Sequence, residues 1–399
     1  MTQTPPAGNA DQNPSEHEDA VAKVADEGVD GLARETEGLS QGQIVRKRFM
    51  HNTAAVISVV VFVLVVLLAF SSIGFGPIPG WWKWGHTQIG SVVDGGRPTM
   101  GLTQIGEHPF GQDNLGRDLF AMTMRGTQMT ILVMVMVGLF TGIIGVVIGA
   151  VSGYFRGWIE AFLMRLTDVI IIIPLLILAA VLGKMAMSYV EPGVGRVIAL
   201  GVLIGLFAWT GLARLVRAEI LSLREREFVD AARLAGASDR RIIFKHILPN
   251  SIGVITVNLT LLLAAAVLIE TALSYLGFGV QAPDWSLGRL ISANQQAFTT
   301  RPWLFWFPGL FIILLCLSIN FIGDGLRDAF DPRQKKFNPK KAKETSEHML
   351  DETDLVAVGA GAGASKSVDT STRGRVLGDD VARDGADDEG NRPGPSKPA

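Results

Sequence analysis

Six stretches of this chain are apolar and long enough, or nearly so, to cross a bilayer, and none carries a charge at its centre. A helix that spans the hydrocarbon needs about 20 mostly apolar residues. An Asp, Lys or Arg at the middle of such a helix costs roughly 2.5–3.5 kcal/mol. The qualifying runs are 54–73, 129–151, 169–189, 197–213, 252–273 and 303–323. Asp168, Lys184, Arg196, Arg214 and Glu270 all fall near the ends of these runs, within reach of headgroups or a neighbouring helix. A soluble domain has no need of such runs, and the 48% hydrophobic share of the 399 residues fits the same reading. The pattern predicts an all-α polytopic membrane protein with six transmembrane helices.

Basic residues set the expected orientation. Arg46, Lys47 and Arg48 precede the first run, Arg156 and Arg165 follow the second, Arg214 to Lys245 follow the fourth, and Arg327 to Lys336 follow the sixth. Alternation then places all four groups, and both termini, in the cytoplasm. The net charge of −2 hides acidic, polar ends at 1–43 and 346–399, whose composition lacks the apolar surface to order itself. The expected organisation is a tail at 1–45, a first transmembrane helix with a long outer loop at 46–128, a five-helix core at 129–335 and a second tail at 336–399. No apolar signal-peptide core stands in the first forty residues, so the first run reads as a signal anchor.

The outer loop between the first two runs contains "GPIPGWWKWG"; its tryptophans fit an aromatic belt at the membrane surface or packing in an outer subdomain, and we take the belt. The Gly- and Pro-rich segment 276–303 is expected to re-enter or cap the same face. Gly138, Gly142, Gly145, Gly149, Gly201 and Gly205 recur at three- and four-residue spacing, which suits close helix packing. Pro174 is expected to kink the third span.

Catalytic and metal chemistry find little support. Cys316 is the one cysteine, so the chain by itself forms neither a disulfide framework nor a cysteine metal site. The six histidines show no H-E-x-x-H or i, i+4 pairing, and no G-x-S-x-G elbow is present. "LSQGQ" at Leu39–Gln43 is close to an ABC ATPase signature, but the G-x-x-x-x-G-K-[ST] phosphate loop that must accompany it is missing, so it reads as a chance match.

The stretch "FVDAARLAGASDRRIIFKHILPN", residues 228–250, lies in the basic segment between the fourth and fifth runs. Arg217–Ala235 holds no Gly or Pro and reads as one helix, which Gly236 is placed to end in a left-handed conformation. Ser238 is positioned to cap a second helix carrying Ile242, Ile243 and Phe244, and Pro249 to stop it before the fifth span. The small residues Ala231, Ala232, Ala235 and Gly236 would sit at the corner. Such a corner admits close backbone approach by a partner, with arginines for charge complementarity.

Asp230-Ala231-Ala232, three residues, Gly236, nine residues, then His246-Ile247-Leu248-Pro249 resembles the E-A-A-x3-G-x9-I-x-L-P loop of ABC importer permeases. Asp230 replaces Glu and His246 replaces Ile. "EHPFGQDNLGRDLF" (107–120), "DVIIIIPLLILA" (168–179), "ALSYLGFG" (272–279), "PDWSLG" (283–288) and "NFIGDGLRDAFDPR" (320–333) are similar to segments of the C-type permease of dipeptide, oligopeptide and nickel importers. The resemblance covers about residues 46–335. It implies a type I ABC importer permease fold in a bacterial cytoplasmic (inner) membrane, with peptide cargo, or else nickel or an opine-like solute. It further implies a second permease subunit, two cytoplasmic ATPases, an extracytoplasmic solute-binding protein and surrounding lipid as partners. Neither a cofactor nor a nucleic acid is implied, and the chain would hydrolyse no ATP itself. The residues implied to couple it to the ATPases are Asp230, Ala231, Ala232, Gly236, Ala237, His246, Leu248 and Pro249. An ion-coupled secondary transporter is the distant alternative; no ionisable midplane site or inverted repeat supports it.

Overall fold

A computed structural model describes residues 41–100 and 106–330, so the tail sequences beyond these limits lie outside the account of the fold. The first helix, α1 (Gln41–His51), begins inside the stretch expected to be tail and carries the Arg46–Arg48 basic cluster. Asn52 separates it from α2 (Thr53–Ser72), the first apolar run. The Asn52 side chain accepts a hydrogen bond from the Ala55 amide at 3.2 Å, capping α2, and donates to Asp328 in the last helix. A short antiparallel ribbon follows, β1 (Gly74–Phe75) with β2 (Ile78–Pro79).

The second run is the core of a much longer helix, α3 (Leu119–Phe155), about 55 Å long at 1.5 Å per residue. Asp118 caps it through the Ala121 amide at 2.9 Å. Hydropathy placed its start near 129 because Thr123, Arg125, Thr127 and Gln128 interrupt the apolar pattern. All of these polar groups but the Thr123 hydroxyl have hydrogen-bond partners: the Gln128 amide nitrogen donates to the carbonyls of Ala69 and Gly74, each at 2.8 Å. The boundary expected at 128/129 thus falls inside one helix.

The third and fourth runs are bent pairs. Helices α4 (Gly157–Ile172) and α5 (Leu175–Tyr189) meet at 83°, a full break rather than the kink expected of Pro174. Proline disfavours the helical conformation of the residue before it, and Ile173 is extended (φ −77°, ψ 120°). Helices α6 (Val194–Ala208) and α7 (Thr210–Arg224) meet at 45°. The fifth run belongs to α9 (Asp239–Tyr275), preceded by the short α8 (Glu227–Leu234). Then come α10 (Leu287–Asn294) and α11 (Trp303–Phe330). Among the described residues four helices are thus long and apolar enough to cross a membrane, and the number rises to six if each bent pair is one span.

Apolar burial gives little drive between helices in lipid, so close approach and polar ties must hold the bundle. Helix α3 is its axis. A Cβ built at Gly149 would lie 2.7 Å from the Ala213 carbonyl, and one at Gly205 would lie 3.1 Å from the Val137 carbonyl. The small faces therefore serve helix packing, as expected, locking α3 to both halves of the α6–α7 pair. On its other side α3 joins α2, α9 and α11 through Met134, Val65, Val267, Leu315 and Ile319.

Candidate functional site

The segment read as a docking corner is built from the end of α7, α8 and the start of α9. The single helix expected over 217–235 is broken: α7 ends at Arg224, Arg226 is extended, and α8 starts at Glu227. No Gly or Pro marks this break, because tertiary contacts make it. Arg224 donates to the Tyr154 carbonyl at the end of α3, and the chain re-enters a helix that turns Val229 onto Ile242, Ile243 and Ile247.

The end of α8 follows expectation closely. Gly236 has φ +77°, its amide donates to the Arg233 carbonyl at 2.9 Å, and the Ala237 amide donates to the Ala232 carbonyl at 3.0 Å. These two bonds are the Schellman arrangement that a left-handed residue allows. Ser238 stands at the N-cap of α9, but its carbonyl, not its hydroxyl, does the work, accepting from the Ile242 amide at 2.9 Å. Pro249 does not stop the helix. A π-helical segment, Ile242–Ile247, precedes it, and the Leu248 amide bonds five residues back to Ile243. That wider turn carries the chain past a residue without an N–H, while the Asn250 side chain donates to the His246 carbonyl at 2.6 Å.

The candidate coupling residues divide between surface and frame. Asp230, Ala231, Gly236 and Pro249 are exposed; Ala232, Ala237 and Leu248 are half-buried and pack against the apolar frame of the corner. His246 is half-buried. Leu234, absent from the expected set, is 91% exposed, and Phe244 is 59% exposed. In the sequence their signal is an apolar side chain amid charged neighbours. The arginines divide likewise. Arg214 pairs with Asp168 at 2.6 Å, Arg217 with Glu160, and Arg233 with Asp230 at 3.1 Å, whereas Arg226, Arg240, Arg241 and Lys245 are exposed. The corner thus offers apolar tips, small residues and cations, on a buried base of Val229, Ile242, Ile243 and Ile247.

The opposite end of the bundle is closed by the long first loop and by segment 276–303. Here Trp82 and Trp84 pack into a cap, while Trp81 stays exposed. Trp82 Nε1 donates to Asp118 Oδ2 at 2.8 Å and Trp84 Nε1 to the Glu107 carbonyl at 3.1 Å, because a polar ring edge near a loop finds a fixed acceptor there. His108 Nδ1 pairs with Asp118 Oδ1 at 2.8 Å, and Lys83 beside Glu107 holds that carboxyl below the usual range. Arg125 grips Asp284 at 2.6 Å, and the Trp285 ring lies between the guanidiniums of Arg117 and Arg289. Glu270 is fully buried and accepts from Thr130 at 2.8 Å and Ser274 at 2.6 Å. Segment 276–303 caps this end, one of the two arrangements expected for it.

Two family models match the chain. Residues 145–336, which contain the whole corner, match the binding-protein-dependent transport system inner membrane component, and residues 40–79 match the N-terminal TM domain of oligopeptide transport permease C. An oligopeptide transport system permease protein of Mycobacterium tuberculosis is 36% identical over 300 residues, covering 75% of this chain and 97% of the relative. Its counterpart in Salmonella typhimurium is 38% identical over 301 residues, covering 75% and 94%.

Proposed function

The chain belongs to the family of binding-protein-dependent transport system inner membrane components, and from that premise we propose that it is one permease of an ATP-driven importer of short peptides. It is a multi-pass inner-membrane protein, and its family supplies the membrane passage of such systems. The relatives' oligopeptide names favour peptides over nickel or opine-like cargo. In this reading a second permease completes the passage, a solute-binding protein delivers cargo at the capped end, and two ATPases sit in the cytoplasm against the corner. Asp230, Ala231, Gly236 and Pro249 meet the ATPase, while Ala232, Ala237, His246 and Leu248 hold the corner's shape.

The observation that carries this reading is the exposed Leu234 beside Gly236, raised on a fully bonded helix end. An apolar side chain in solvent gains by being covered, and the ring of cations would meet an acidic groove. A Cβ at Gly236 meets no atom of this chain within 4 Å, so a substitution there acts on a docked partner, apart from a left-handed strain of about 1–2 kcal/mol. Gly236→Asp is expected to insert normally and to hydrolyse ATP in the assembled complex with little peptide uptake. Full uptake per ATP in that variant, measured in proteoliposomes, would remove the corner from the coupling path.

A further inference from the structure

Within the proposed docking corner, α8 is joined covalently to α7 and to α9 at two short links, residues 225–226 and 235–238, neither of which is helical throughout. A third connection is made by side chains and one backbone carbonyl, and it converges on one residue. Tyr154 lies in the last turn of α3 and is buried. Its hydroxyl donates to Asp239 Oδ1 at 2.6 Å, at the first residue of α9. The guanidinium of Arg233, in the last turn of α8, stands 5.8 Å from its ring centre, and that of Arg224, at the end of α7, stands 5.7 Å away. Arg224 also donates to its carbonyl. One tyrosine therefore holds the three helix ends that define the corner.

Tyr154 is also mounted on an element that is α-helical without interruption from the corner to the cap. Helix α3 is continuous from Leu119 to Phe155, is locked to α7 at Gly149, and ends in the Arg125–Asp284 and Thr130–Glu270 ties. From Arg125 to Tyr154 is about 43 Å along the helix. The other routes from corner to cap include bends of 45° and 83° or the π-helical turn of α9.

We infer that Tyr154 is a positioning residue for transport: through its bond to Asp239 it passes displacement of the corner to α3, and so to the cap at the far end. The inference rests on the corner being the ATPase contact. It also assigns the two parts of the side chain different tasks. The ring, with the guanidiniums of Arg224 and Arg233 at 5.7 and 5.8 Å from its centre, packs the corner, while the hydroxyl, which also bonds the Arg233 side chain, makes the link to Asp239 that bears load. Removing the hydroxyl alone should therefore spare assembly and weaken transmission.

The test uses the complex purified with its co-purifying subunits in nanodiscs, with hydrogen exchange compared between the nucleotide-free and ATP–vanadate-trapped states. In the unmodified complex, trapping should change exchange at residues 228–250 and at 276–300. Tyr154→Phe should keep the response at 228–250 and lose that at 276–300 by roughly fivefold, the low end of coupling between sites. Asp239→Ala should do the same, the double variant should be no worse than either single, and Asp239→Asn, which keeps an acceptor, should restore the response. An undiminished response at 276–300 in Tyr154→Phe overturns the inference, as do losses that multiply in the double variant. So does a wild-type complex whose cap ignores nucleotide, or a Tyr154→Phe complex that sheds its ATPases. Gly236→Asp serves as the separate control: if its 228–250 response matches wild type, the corner reading itself fails, whereas a lost response there with normal transmission in Tyr154→Phe rejects Tyr154 alone.

Discussion

The two ends of the bundle treat charged side chains in different ways. The cap takes its charges inside: Asp113, Asp118 and Asp284 are buried, each with a bonded partner. The corner holds its arginines at or near the surface and puts Leu234 and Phe244 in solvent. A buried ion pair is costly to break, because it leaves an uncompensated charge. A solvent-exposed leucine contributes almost nothing to its own fold. The cap's ion pairs thus serve its own fold, whereas the corner, in the function proposed for it, is one half of an interface.

The largest effect should come from breaking the cap. Arg125→Ala leaves the buried Asp284 carboxylate unpaired, and should cost about 3–5 kcal/mol, read as a lower thermal midpoint of the detergent-purified chain. An intermediate effect comes from acid. His86 lies near Arg125 and Asp284, and burial, reinforced by Arg125 and opposed by Asp284, lowers its pKa. The unfolded chain then binds more protons than the folded one as pH falls below about 6.5, so stability contributed by neutral His86 is present above that pH and is lost below it. The midpoint followed by tryptophan fluorescence should fall between about pH 7 and 5, and should fall less in His86→Gln. The smallest effect should be at the corner: Leu234→Ser should move the midpoint of the isolated chain by no more than about 0.5 kcal/mol. Yet it should weaken ATPase co-purification, and a large loss of stability there would show that the corner supports its own fold after all.

The sequence was most legible where one residue's local chemistry decides the outcome. Gly236 was placed to end a helix in a left-handed conformation, and it does so. The apolar runs became membrane helices because no other arrangement satisfies so many backbone groups in lipid. It was least legible where distant contacts decide. The break at 225–226 depends on Arg224 reaching Tyr154, seventy residues earlier in the chain. The ten-residue extension of α3 depends on acceptors at Ala69, Gly74 and Asp284 that make buried polar side chains tolerable. Pro249 looked like a stop because the π-helical turn that accommodates it leaves no mark on composition. Of the candidate site, the turn and its small residues were readable, but Leu234 and Tyr154 were hidden, since exposure and convergence are properties of the fold.

The length of α3 has one more consequence. A hydrocarbon layer is about 30 Å thick, so a rod of about 55 Å leaves some 25 Å standing in the headgroups and water. The distance between cap and corner is therefore fixed by protein, not by lipid. A thinner or thicker membrane slides along the rod without stretching or compressing the span between its ends. A cell that remodels its acyl chains with temperature would find this permease already gauged.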